Sequence, residues 1–147
     1  MAMDFLADMT SAASSVVPVR PRLLLVEDDP GVRRSLQLLL HGRGFDVRAY
    51  ASGATLIGDL DAQLGAVALV ADFKMPEIDG VVLLGALRAA GWTGAALLIT
   101  AFASHDLQAR AKIVGFSRVM EKPFVEQAVG EAVERMVAEA SRAPTTY

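Results

Sequence analysis

Cysteine is absent from the 147 residues, which removes disulfides, thiolate zinc sites, iron–sulfur clusters and thiol nucleophiles from consideration. Histidine occurs only as His41 and His105, too few for a histidine-rich metal site. No apolar run approaches the roughly 18 residues of a membrane span, so no membrane partner is expected. The opening stretch, Met1 to Val17, is apolar and rich in small residues. It carries Asp4 and Asp8 where a secretory signal needs positive charge, and a cytoplasmic location is expected. Basic residues are not in excess either, with 14 Lys and Arg against 17 Asp and Glu. Nucleic acid is therefore not expected as a direct ligand, because phosphate backbones are bound mainly by clustered Lys and Arg. What is abundant is apolar: 53% of residues are hydrophobic, enough for a substantial core, and the length suits one domain with tails.

Five short apolar runs have strand length and composition: Leu23 to Val26, Asp46 to Tyr50, Val67 to Ala71, Ala95 to Ile99 and Arg118 to Glu121. Helical patterns separate and follow them. The first is amphipathic through Val32, Leu36, Leu39 and Leu40, with Asp29 as N-cap, Pro30 at the first helical position, and Gly42 and Gly44 at its end. Ser52 to Leu64 reads as a second helix with Leu56, Ile57, Leu60 and Leu64 inward, and Gly80 to Ala90 as a third. His105 to Val114 reads as a fourth. Val125 to Ala140 is the fifth, its Val125, Ala128, Val129, Ala132, Val133, Met136 and Val137 repeating at helical spacing. Alternating strands and helices imply right-handed crossovers and a parallel sheet between helix layers. The expected fold is a doubly wound α/β domain over residues 20–140, five strands in the flavodoxin-like order 2-1-3-4-5. Residues 1–19 and 141–147 read as tails.

In such a sheet, ligands bind beyond the carboxyl ends of the strands. The residues there are Glu27 and Asp28, Asp72, Thr100 and Lys122. Three carboxylates close together favour a hard divalent cation with oxygen ligands, and magnesium is the natural choice. A bound magnesium ion, the Lys122 ammonium and the Thr100 hydroxyl could together receive the oxygens of a phosphoryl group. Asp72, projecting from the central strand, is the candidate carboxylate nucleophile.

The segments Leu24-Leu25-Val26-Glu27-Asp28-Asp29, Asp72 to Gly80, Ile99-Thr100-Ala101 and Glu121-Lys122-Pro123-Phe124 closely resemble those of response-regulator receiver domains, over about residues 21 to 140. The resemblance implies that Asp72 accepts a phosphoryl group from a phosphohistidine on a sensor histidine kinase or histidine phosphotransfer protein, or from a small phosphodonor. It implies magnesium held by Asp28, Asp72 and the backbone carbonyl of Lys74, with Glu27 acting largely through water. Thr100 would be the switch hydroxyl, and the Lys122 to Pro123 bond would be cis. Ala101, Phe102, Val119 and Pro123 would border the switch and partner surface. An unidentified downstream protein would meet the face of helix four, strand five and helix five, including Leu107, Arg110, Arg118, Met120 and the polar side of residues 126 to 139. Val119 departs from the family, which usually has Tyr or Phe there. Nothing resembling an output domain follows Ala140, so a stand-alone receiver is expected. It would act as a switch or phosphorelay shuttle, and not as an enzyme with an external product.

Plainer roles stand beside these. Asp29 is read as a cap, Pro76, Asp79 and Gly80 as turn and helix-start residues, and His41 and His105 as surface residues. Gly42 and Gly44 follow a helix and lack the third glycine of a dinucleotide fingerprint. Glu126, Glu131, Glu134 and Glu139 form the solvated side of the last helix. Two rival functions remain open at this point: a small aspartyl-phosphate phosphatase, and a degenerate receiver acting by protein contacts alone.

Overall fold

The computed structural model describes residues 19–142. Five strands, β1 (Arg22–Val26), β2 (Asp46–Tyr50), β3 (Ala66–Asp72), β4 (Ala95–Thr100) and β5 (Arg118–Glu121), form one parallel sheet in the order β2-β1-β3-β4-β5. The helices between and after them are α1 (Pro30–Gly42), α2 (Gly53–Ile57), α3 (Leu60–Gln63), α4 (Gly80–Ala89), α5 (His105–Val114) and α6 (Glu126–Arg142). This is the doubly wound order expected from the sequence.

Side chains alternate across a strand, so the apolar runs of β1, β3 and β4 feed two cores at once. Leu24, Val26, Leu69, Ala71 and Leu98 face Leu56, Leu83, Leu84, Leu87 and Leu107 from α2, α4 and α5. Leu23, Leu25, Val70, Leu97 and Ile99 face Leu36 and Leu40 of α1 and Val129, Val133 and Met136 of α6. Helix starts follow the capping residues: the Asp29 carboxylate accepts from the N–H groups of Gly31 and Val32, and Asp79 and Ser104 cap α4 and α5 in the same way.

The expected second helix is two short helices. Asp59 interrupts it by capping α3 through Ala62 N–H while accepting a 2.7 Å hydrogen bond from the Tyr50 hydroxyl. The break turns the chain, so only Leu56 of the four expected core residues is buried. Ile57, Leu60 and Leu64 are exposed. Val125 is also exposed, because α6 begins one residue later and Val125 sits outside its first turn. The helix then runs two residues past its expected end, to Arg142. The expected tail over 1–19 lies outside the described residues except for Val19, as does 143–147 of the other.

Candidate functional site

The carboxyl ends of β1, β3, β4 and β5 bring charged groups together where the helices diverge. Glu27, Asp28 and Asp72 each present a carboxylate oxygen within 4.8 Å of the others. Glu27 and Asp72 are 2% and 6% exposed, and Asp28 faces solvent. Burying two carboxylates demands compensation. Lys122, one residue beyond β5, supplies it: its Nζ donates to Asp72 Oδ2 at 3.0 Å and lies 3.8 Å from Glu27 Oε1. The Lys122–Pro123 peptide is cis, as the resemblance implied.

Electrostatics record the crowding. Burial, reinforced by the charge of Asp72, pushes Glu27 up to about 7, against the lowering effects of the Asp29 N–H on Glu27 Oε2 and of Lys122. Burial lowers the Lys122 ammonium's affinity for its proton, but the hydrogen bond to Asp72 and the charges of Asp72, Glu27 and Asp28 outweigh it, and the net shift is upward. One ammonium faces three carboxylates, a set short of positive charge. Its hard oxygen donors suit a magnesium ion by number and type.

Backbone contacts fix the segment around Asp72. The loop after β3 closes on itself through Gly80 N–H to the Phe73 carbonyl at 2.9 Å. A Cβ at Gly80 would lie 2.6 Å from the Asp72 carbonyl oxygen, so the start of α4 packs directly on the Asp72 backbone. Arg33, on α1, donates to the carbonyl of Glu27 at 2.9 Å, which ties the acidic loop to the helix behind it.

The remaining residues singled out in the sequence are placed less uniformly. Thr100 ends β4, buried, with its hydroxyl bonded to the Phe102 backbone. Phe73, Lys74, Thr100, Ala101, Phe102 and Arg110 border a cavity of about 320 Å³ next to the end of β3, with Phe102 itself 72% exposed. Val119 is half-buried against the core that contains Leu107, and Pro123 is exposed. Leu107 does not belong to a partner surface: it is 4% exposed and packs inward, because Ser104 caps α5 so that position 107 faces the sheet. Met120 likewise packs against the α1 and α6 core. On α6, Glu134 pairs with Arg43 at 2.8 Å and Glu139 with Arg118 at 3.2 Å, so two of the four glutamates bind neighbouring elements. Gly80 starts α4 as the sequence suggests, but its packing on the Asp72 carbonyl and the tie of Arg33 carry no sequence signal, since one acts through the side chain it lacks and the other through a backbone carbonyl.

Comparison with known proteins agrees with this geometry. Residues 23–134 match the family model of the response regulator receiver domain. The chain is 34% identical over 109 residues to the transcriptional regulatory protein FixJ of Azorhizobium caulinodans, covering 74% of this chain and 51% of that one. The crystal structure of FixJ-N superposes with a TM-score of 0.73 at 26% identity, covering 88% of this chain and all of that one. A CheY-like receiver domain protein from Methanospirillum hungatei superposes at 0.77 with 19% identity, over 84% and 98% of the two chains. The chain belongs to the response-regulator receiver domains of two-component signalling. It spans about half the length of the FixJ regulators it matches. Receiver domains are signalling domains rather than classical enzymes, and among the described residues no helix is long and apolar enough to cross a membrane.

Proposed function

We propose that this receiver is a phosphorylation-dependent switch or phosphorelay shuttle in which Asp72 is the acceptor and a sensor histidine kinase or histidine phosphotransfer protein the donor, acting in the cytoplasm. The observation that carries the reading is the buried Asp72 carboxylate held at 3.0 Å by Lys122 beside Glu27 and Asp28. An Asp72 oxygen attacks the phosphorus of a phosphohistidine, the P–N bond breaks, and the imidazole leaves with the bonding pair and takes up a proton. The product is an acyl phosphate on Asp72. Lys122 keeps its proton and neutralises charge on the transferred group, and the Thr100 hydroxyl would donate to one of its oxygens. Magnesium, when bound, neutralises phosphoryl charge; Asp28, Asp72 and the Lys74 backbone carbonyl would hold it, with Glu27 contributing charge.

The phosphatase reading is disfavoured because that chemistry wants an acid two residues beyond the nucleophile to protonate the leaving group, and Lys74 stands there. The complete acidic set speaks against a degenerate receiver. The output surface on this reading is the outer side of α5, β5 and α6, through Arg110, Arg118 and the polar side of residues 126 to 139. Incubation with radiolabelled acetyl phosphate should label the chain only when magnesium is present, and Asp72→Asn should reduce the label by about a hundredfold or more while the fold is kept. Label retained on the variant would move the acceptor elsewhere.

A further inference from the structure

The loop between β4 and α5 is tied down by the Thr100 hydroxyl and by two side chains, Glu121 and Gln108, that the site chemistry does not use. The Thr100 hydroxyl is occupied locally: Oγ1 accepts from the Phe102 N–H and donates to the Phe102 carbonyl, both at 3.3 Å. Ala103 is held on both its polar groups. Its N–H donates to Glu121 Oε2 at 2.7 Å, and its carbonyl accepts from Gln108 Nε2 at 2.8 Å. A carboxylate accepting from a backbone N–H at that distance is a charge-assisted bond, stronger than the neutral bonds around it.

Glu121 is the last residue of β5, immediately before Lys122. One dipeptide therefore holds the acceptor through Lys122 and the switch loop through Glu121. While Ala103 stays bonded to Glu121, the intervening Ala101 and Phe102 have little freedom, and Thr100 keeps its hydroxyl on Phe102. A Thr100 hydroxyl directed at a phosphoryl group on Asp72 requires those short ties to rearrange. Val119 offers no large ring whose rotation could drive that change.

We propose that Glu121 is a latch on the β4–α5 loop, a positioning residue that stabilises the arrangement with the Thr100 hydroxyl turned into its own loop and that must release Ala103 for the phosphorylated arrangement to form. The latch rests on the reading of Asp72 as acceptor. It is a two-state element in the required sense, since its bonds exist in one loop position and not in the other. Glu121 is exposed, so the tie is weak enough to open at modest cost.

Amide hydrogen exchange and labelling by acetyl phosphate with magnesium, on the full chain and on Glu121→Ala and Glu121→Gln, test it. Glu121→Ala should speed exchange of the Ala103 amide about tenfold, with the amides of β3 and β4 unchanged, and should speed labelling about threefold or more. Glu121→Gln keeps a neutral oxygen acceptor and should fall between wild type and alanine in both measurements. Unchanged Ala103 exchange in Glu121→Ala overturns the latch, as does faster exchange without faster labelling. Equal acceleration of labelling in both variants without a change in exchange traces to lost charge and also overturns it. An unlabelled wild-type chain overturns the acceptor reading, and the latch as a phosphorylation switch with it; a labelled wild type with an unresponsive Glu121→Ala overturns the latch alone.

Discussion

At the carboxyl ends of the strands, buried Glu27 and Asp72 meet Lys122 beside a cavity of about 320 Å³. At the amino ends, Leu60, Gln63, Leu64, Ala66 and Trp92 line a larger one, about 570 Å³. The amino-end cavity is the larger of these two, and two polar groups beside it are engaged: the Trp92 indole N–H donates to the Ala66 carbonyl at 3.1 Å, and Arg22 Nη1 caps the end of α3 through the carbonyls of Asp61 and Leu64. Volume is thus a poor guide to chemistry here. The carboxyl pole is distinguished by carboxylates brought together at a cost that the single Lys122 ammonium offsets in part.

Each pole contains a glycine with no room for a methyl group, which gives the sharpest test of the contrast. A Cβ at Gly80 would press on the Asp72 carbonyl at 2.6 Å, and one at Gly94 would meet the Trp92 ring at 2.2 Å. Both Gly80→Ala and Gly94→Ala should lose about 1 to 3 kcal/mol in chemical denaturation. Only Gly80→Ala should also slow labelling in the folded state, because it displaces the acceptor. Equal effects on labelling would erase the distinction between poles.

Protonation separates the poles next. Glu27 has its folded-state value raised to about 7 from an ordinary 4.5. Its contribution is therefore fully present below about 4.5 and is lost as pH rises through about 7. In chelator-treated protein, wild type should lose stability between pH 5 and pH 8, by about 1 to 3 kcal/mol from this group. Glu27→Gln should flatten that slope, and an unchanged slope would place its origin elsewhere. In a magnesium titration, Asp28→Ala should weaken binding about tenfold and Glu27→Ala less, since the loss of a ligand outweighs the loss of a neighbouring charge. Equal effects would contradict the assignment of the direct ligand.

Smaller effects are expected at the rims. Lys74 and Phe102 border the acceptor-side cavity, where a cation can pair with a phosphoryl oxygen and an aromatic ring can exclude water. Replacing both with alanine should speed loss of the phosphoryl group about threefold, and an unchanged decay would refute the shielding. At the opposite rim, Leu60→Gln with Leu64→Gln should change stability by about 0.5 kcal/mol or less, and labelling not at all, because both side chains are mostly in solvent.

The contrast also explains what the sequence could disclose. All five strands and the residues at their carboxyl ends were legible: β1, β3 and β4 carry apolar runs buried on both faces, β2 and β5 follow from the alternation with helices, and the chain order of the fold places the strand ends on one rim. Helical spacing misled where a side chain from another element intervened. Tyr50 bonds Asp59 and splits the expected second helix, which exposes Ile57, Leu60 and Leu64. Leu107 illustrates the reverse, since its inward direction depends on where Ser104 starts the helix. The ties of Arg33 to the Glu27 carbonyl and of Glu121 to Ala103 end on backbone atoms, which every residue possesses and no pattern of side chains announces.

β5 is four residues long and among the described residues pairs with β4 alone, yet it precedes directly the lysine that compensates Asp72. β5 is the shortest strand of the sheet and is paired on one side alone, so local opening there is the fluctuation that bears most directly on Lys122. Each such opening would withdraw Lys122 and leave Glu27 and Asp72 facing one another in a site already short of positive charge. On the reading of Asp72 as acceptor, whatever clamps that edge would hold Lys122 in place and tune the reaction without touching Asp72.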